Sequence, residues 1–196
     1  MLNHIRPALV MVVLFTGLLG VAYPLAVTGV AQAAFPSQAN GSLVKDADGK
    51  VVGSALVGQA FVQPAYLHPR PSAAGEGYDA SASSGTNMGP LNADLAARVK
   101  DDTSRLKAEN PTGAIPADAV TASASGLDPH VSPQYAAFQI SRIAKARGVK
   151  EAQVREVIEN HIEGRTFGVL GQPRVNVLLT NRALDARLGR PDTSSE

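Results

Sequence analysis

Apolar positions run unbroken at the start of the chain and turn periodic after it. Between Ala8 and Ala34, 20 of 27 residues are apolar and none is charged. The stretch Leu9 to Ala31 would extend roughly 35 Å as a helix at about 1.5 Å per residue, enough for a hydrocarbon core roughly 30 Å thick. It predicts a transmembrane helix over 9–31, with 1–8 as a short N-terminal segment. Thr16, Gly20, Pro24 and Thr28 recur every fourth residue and share one face if the helix continues. Their small size predicts close packing on other membrane helices. Pro24 has no N–H for the carbonyl of Gly20 and crowds that turn.

Beyond residue 35 the pattern alternates between short strands, helices and long polar loops. Ser42-Leu43-Val44 and Val51-Val52 flank a polar turn and predict a hairpin, with a short strand to follow near Ala55-Leu56-Val57. Pro64 to Pro90 is rich in Pro, Gly, Ser and Ala, a loop long enough to be functional or disordered. Leu91, Leu95, Val99 and Leu106 predict a helix from about Leu91 to Glu109, ended by Asn110-Pro111. Ser132 and Pro133 form an N-cap and first helical residue, and Ala136, Ile140 and Ile143 carry that helix to Gly148. Val154, Val157, Ile158 and Ile162 predict a further helix stopped at Gly164. Val175, Val177 and Leu179 alternate like a strand, and a short helix near Ala183–Leu188 with a polar tail ends the chain. Helices and strands mix without βαβ regularity, so the expected class is α+β: one N-terminal transmembrane helix, then a single mixed α/β soluble domain over 35–196.

Charge orients the chain. Arg6 is the one charged side chain before Lys45, and it lies N-terminal to the apolar run. The positive-inside rule then predicts a cytoplasmic N-terminus and an extracytoplasmic 35–196. Ala31-Gln32-Ala33 has the form of a signal-peptidase site, which keeps open a second reading: a secreted binding protein or hydrolase released by cleavage. An h-region is usually about 7–15 residues, much shorter than this stretch.

Over the whole chain 18 Lys and Arg face 17 Asp and Glu, a net charge of +1. A nucleic-acid backbone binder needs a basic surplus, and the absence of Trp with 5% aromatics argues against base stacking. Without cysteine there is no disulfide, thiol nucleophile or thiolate metal site.

Candidate chemistry is sparse. Gly53-Ser-Ala-Leu-Val-Gly58 has phosphate-loop glycine spacing, but Gln59-Ala60 replaces the Lys and hydroxyl residue that bind phosphate and Mg²⁺. The histidines, His4, His68, His130 and His161, form no His-Glu-x-x-His pair, and no metal site is expected. Ser125, Asp128 and His130 supply triad residue types in one loop, yet a triad requires converging geometry. Asp128-Pro129 and Ser132-Pro133 have a sufficient role in loop and cap formation. The hydroxyls, amide and glycine N–H groups of Ser84, Gly85, Thr86 and Asn87, with Ser123, Ser125 and Gly126 in the later loop, are candidates for binding an anion or a partner backbone.

Ordered blocks along nearly the whole sequence carry a resemblance. They include Tyr23-Pro-Leu-Ala-Val-Thr-Gly-Val-Ala-Gln32, Phe35-Pro-Ser-Gln-Ala-Asn-Gly-Ser-Leu43, Val57-Gly-Gln-Ala-Phe61, Arg70-Pro-Ser72, Ser84-Gly-Thr-Asn-Met-Gly-Pro90, the run Val120 to Pro133, and Gly171-Gln-Pro-Arg-Val-Asn-Val177. The chain resembles the KdpC family of the Kdp-type potassium-transporting ATPase. The resemblance implies a non-catalytic accessory subunit of an ATP-driven K⁺ import complex in the plasma (inner) membrane. Its implied partners are a potassium-translocating subunit, a P-type ATPase subunit and a small membrane subunit. It also implies a catalytic-chaperone role that raises the ATP affinity of the ATPase subunit. The chain departs from the family at Ser83-Ser84-Gly85-Thr86-Asn87-Met88 and Ala122-Ser-Ala-Ser-Gly126, where the family carries more glycine.

Overall fold

The computed structural model describes residues 2–191; the polar tail from 192 to 196 lies outside the described residues. The chain divides into two compact units, 1–54 and 55–196.

The first unit is built on α1, Ile5–Ala34, a 30-residue helix long and apolar enough to cross a membrane. It does not keep one pitch. Thr16–Ala22 is π-helical, and the N–H of Tyr23 donates back five residues to Leu18. The widened turns directly precede Pro24, whose missing N–H and bulky ring disrupt the normal ladder there. The helix nonetheless continues through the Thr16, Gly20, Pro24, Thr28 stripe. A Cβ added to Gly20 would meet the Thr16 methyl at 3.8 Å, so these two positions are stacked neighbours. A single turn, α2 (Pro36–Ala39), follows. The amides of Gln32 and Asn40 donate to each other at 3.2 and 3.1 Å and tie that turn to the end of α1.

The predicted hairpin forms: β1 (Leu43–Lys45) pairs antiparallel with β2 (Val51–Ser54), with a bulge between Val44 and Lys45. Asp46 shapes the turn by accepting from the N–H groups of Asp48 and Lys50. The further strand expected at Ala55–Val57 does not form. The chain turns there, and the N–H of Gly58 is taken by the carbonyl of Leu127 instead of a strand neighbour.

Among the described residues, the second unit packs five α-helices and a small sheet around one core. Helix α3 (Ala93–Glu109) starts at Asn92, whose side chain caps Asp94 and Leu95. Of its expected apolar side, Leu106 is buried, Leu95 and Val99 are half-buried, and Leu91 lies exposed before the helix. Ser132 caps the next helix, as expected, through the Tyr135 N–H. The stretch from Pro133 to Arg147 is two helices, α4 (Pro133–Phe138) and α5 (Ile140–Arg147), with a break at the buried Gln139. Gly148, at φ 64°, ends α5.

Helix α6 spans Glu151–Glu159 and stops short of the expected Gly164. Ile162 belongs instead to β4 (Ile162–Glu163), and His161 bonds the carbonyl of Val157 just past the helix end. The strand expected through Leu179 is only β5, Arg174–Asn176. Asn176 then caps α7 (Val177–Leu188) through the Leu179 N–H, so Val177 and Leu179 are helical. With β3 (His130–Val131), these strands form an antiparallel sheet in the order β3-β5-β4. The core joins Leu67, Leu106, Tyr135, Ile143, Val157, Val175 and Leu184, all buried.

The segment 64–71 has no regular structure, yet Ala65 and Leu67 are buried. Polar side chains from the helices hold it. Asn181 on α7 accepts from the Leu67 N–H (2.7 Å) and donates to the Leu67 carbonyl (2.9 Å). Gln139 makes the same pair with His68, at 2.8 and 3.1 Å. Arg142 donates to the carbonyls of Pro64 and Tyr66. Arg147 donates to Ala65 at 2.7 Å, pairs with Asp185 at 2.8 Å and lies over the Tyr66 ring.

Candidate functional site

The two polar loops singled out from sequence do meet. The Ser84 N–H and the Ser83 hydroxyl both donate to the carbonyl of Ser125, at 3.0 and 2.9 Å. Ser72 donates to the carbonyl of Gly126 and accepts from the N–H groups of Ala74 and Tyr78. Tyr78 reaches back to the Arg70 carbonyl at 2.6 Å, and burial pushes its phenol well above the usual range. Segments 58, 70–78, 83–85 and 124–128 thus form one loop-to-loop seam.

Two glycines make the close approach possible. A Cβ on Gly126 would lie 2.6 Å from the Ala74 nitrogen and 2.8 Å from the Ser84 carbonyl oxygen, and its φ is +68°. A Cβ on Gly85 would lie 2.8 Å from the Ala124 oxygen. The glycines this chain retains are therefore ones that the seam requires. Gly58, last residue of the phosphate-loop spacing, is packed the same way, 2.7 Å from the Asp128 oxygen if given a Cβ.

Asp128 is the electrostatic centre of the seam. Arg70 donates to one carboxylate oxygen at 2.9 Å and also to the carbonyls of Thr121 and Ala122. The other oxygen accepts from the His130 N–H at 3.0 Å, with His130 Nδ1 at 3.6 Å. Burial raises the carboxyl's pKa, but the hydrogen bonds from His130 and Arg70 outweigh it and hold Asp128 below the usual carboxylate range. The Ser125 hydroxyl is engaged by the Leu127 N–H and takes no part in that pair. The triad residue types share a loop without forming a nucleophile–base contact.

The seam's N–H groups at Gly58, Ser84 and Leu127 point into neighbouring loop oxygens, and Arg70 is held by Asp128. Ser123 is buried, while Thr86 and Asn87 lie at the seam's outer end, Asn87 at φ 52°. Beside the seam is a cleft of about 590 Å³, lined among others by His68, Arg70, Tyr78, Arg98, Asp102 and Tyr135. Two of its arginines are paired within the chain, Arg98 with Asp102 at 3.3 Å and Arg70 with Asp128. Among the described residues no group of His, Asp and Glu is arranged to hold a metal ion.

The arginine, glutamine and asparagine clamps on 64–68 were missed from sequence. The available signal was Gln139 between apolar Phe138 and Ile140, and Asn181 three residues from each of Leu178 and Leu184 on the face they share.

An apolar helix of membrane-spanning length followed by an α+β unit, its loops closed on one another, defines a membrane-associated chain with a single such helix among the described residues. The family model for KdpC, the K⁺-transporting ATPase c chain, matches residues 5–186, and the chain belongs to that family. It is 68% identical over 187 residues to the potassium-transporting ATPase KdpC subunit of Caulobacter vibrioides, covering 95% of each chain. It is 58% identical over 190 residues to that of Myxococcus xanthus, covering 96% of this chain and 88% of the relative. The KdpC subunit of Beijerinckia indica is 56% identical over 189 residues, 95% of each chain.

Proposed function

We propose that this chain is a non-catalytic accessory subunit of an ATP-driven potassium import complex, anchored in the plasma membrane by α1 with residues 35–196 outside. The family match, continuous from within α1 to within α7, carries the reading. That continuity also disfavours release of a secreted binding protein or hydrolase at Ala33.

Arg6 at the N-terminal end of α1 supports an inward N-terminus. ATP is then on the opposite side of the membrane from the second unit. The loops that carry the family's Ser/Gly blocks are spent on one another, which agrees with a subunit that does not itself hold nucleotide. It stabilises the complex from outside, near the K⁺ entrance. Any rise in ATP affinity is transmitted through the ATPase subunit, without nucleotide contact by this chain. The stripe Thr16, Gly20, Pro24, Thr28 supplies close packing on the potassium-translocating, ATPase or small membrane subunit.

Purification of the full-length chain in mild detergent, with identification of what co-purifies, tests the assembly. Potassium-translocating and ATPase subunits are expected in the eluate; their absence refutes the reading. Protease applied to cells with the outer envelope opened tests the orientation. Digestion of 35–196 is expected, and protection until the inner membrane is ruptured would reverse it.

A further inference from the structure

The His68 ring stands between two groups with opposite demands. Its Nε2 lies 3.0 Å from the Gln63 carbonyl oxygen and 3.3 Å from Nη1 of Arg142. The carbonyl calls for a proton on that nitrogen, and the guanidinium calls for a bare lone pair. A neutral ring satisfies either one by choice of tautomer. A charged ring bonds only Gln63 and sets a second positive charge against Arg142.

Burial, and then Arg142, hold His68 below the ordinary histidine range; the Gln63 carbonyl and Glu109 pull the other way, and Arg105 adds to the lowering. Glu109, on α3, is already shared between Arg142 at 3.3 Å and Arg105 at 3.2 Å. His68 also lines the 590 Å³ cleft. Of the ionisable groups there, Arg70 and Arg98 pair with Asp128 and Asp102, and Glu76 is exposed. Burial raises the phenols of Tyr78 and Tyr135, so both keep their protons.

The two sides of the contact are unequal. Arg142 is fixed in regular α5, its side chain 13% exposed and bound to Glu109 and Gln139. Gln63 and Pro64 are exposed and belong to no helix or strand. The Nη1 that faces the ring is also the donor to the Pro64 and Tyr66 carbonyls. The Gln63 carbonyl accepts from the Tyr66 N–H as well as facing the ring, so ring and turn 63–66 move together.

We propose that His68 is a proton-operated latch on the turn 63–66. On taking up a proton the ring keeps Gln63, moves off Arg142 toward the cleft, and draws the Pro64 and Tyr66 carbonyls from their donor. The latch is closed above the ordinary histidine value of about 6.5 and opens as pH falls through the lowered one. It stands on this chain alone; that it reads the pH outside the cell rests on the orientation proposed above.

The chain has no cysteine, so one introduced thiol reports the opening. Ala65 is 5% exposed within the turn, and Ala65→Cys in the purified full-length chain should be labelled by dithiodipyridine only when the latch opens. Its labelling rate, divided by that of Lys100→Cys on the exposed side of α3, should rise about tenfold between about pH 7 and about pH 5. Adding His68→Gln should abolish the rise, since an amide bonds both partners without charge. Ala136→Cys, in the core of α4, should show no rise. A flat Ala65→Cys ratio, an equal rise with His68→Gln, or a matching rise at Ala136→Cys overturns the latch. Should His68→Gln not fold, the His68 ring titration by carbon NMR decides: a midpoint below about 6.5 is expected, and one at or above it overturns the proposal. Because the labelling uses the purified chain, its failure leaves the orientation untouched.

Discussion

Gly126→Ala should be among the most damaging single-methyl additions in the second unit. The new Cβ would stand 2.6 Å from the nitrogen and 2.7 Å from the Cβ of Ala74, and 2.8 Å from the Ser84 oxygen. Two of these three are backbone atoms, which no rotamer change can move. Overpacking of this kind costs about 1–3 kcal/mol, and the left-handed backbone at φ +68° adds roughly 1–2 kcal/mol. The expected loss is about 2–5 kcal/mol. Two other glycines separate these contributions. Gly148 has nearly the same φ, +64°, with nothing within 4 Å, so Gly148→Ala reports the backbone cost alone. Gly85 lies outside the left-handed region but meets Ala124 backbone at 2.8 and 3.3 Å, so Gly85→Ala reports the collision alone. Urea unfolding of the full chain in one detergent, followed by near-ultraviolet circular dichroism of tyrosine, measures all three. Three of the four tyrosines, Tyr66, Tyr78 and Tyr135, lie in the second unit, and Tyr23→Phe in every variant removes the contribution of the fourth, in α1. A Gly126→Ala variant no less stable than Gly148→Ala would show that the seam yields freely and that close approach is not what Gly126 provides.

Asn181→Leu should cost about 2–6 kcal/mol in the same assay, because it orphans both the N–H and the carbonyl of buried Leu67 at about 1–3 kcal/mol each. Burial, then the neighbouring Arg142, lowers the His68 pKa; protons therefore favour the unfolded chain, and stability should fall as pH drops from about 6.5 through the lowered folded value. His68→Gln should flatten that slope, as read from urea midpoints across the range. Gly20→Leu should release the subunit from its partners while leaving the tyrosine signal of the second unit unchanged, with Leu19→Ile as the control; full retention of partners would make the stripe an ordinary anchor face.

Local signals were legible where local chemistry decides the structure. Ser132-Pro133 starts a helix because a hydroxyl cap and a fixed φ need no distant partner, and Gly148 ends one for the same kind of reason. The break at Gln139 was hidden because its cause is His68, 71 positions away. The alternation Val175, Val177, Leu179 has a strand period. Asn176 overrides it by capping α7, a signal present in the sequence but weaker than the period. The candidate loops were legible as polar and glycine-containing. That they spend their donors on each other follows from the meeting of chain segments about 40 residues apart, such as Ser83 with Ser125.

The clamp on Leu67 and His68 separates shape from dynamics. Side-chain amides occupy both the donor and the acceptor of each residue, as a neighbouring strand would. The segment therefore presents no open edge on which a second chain could add a strand. Its amide protons also cannot reach solvent by fraying of a ladder, since no ladder exists. The Leu67 amide exchanges when α7 lets go of it, and the His68 amide when the α4–α5 junction does. A stretch that looks like a connecting loop should thus keep its deuterium clock in time with the helical core.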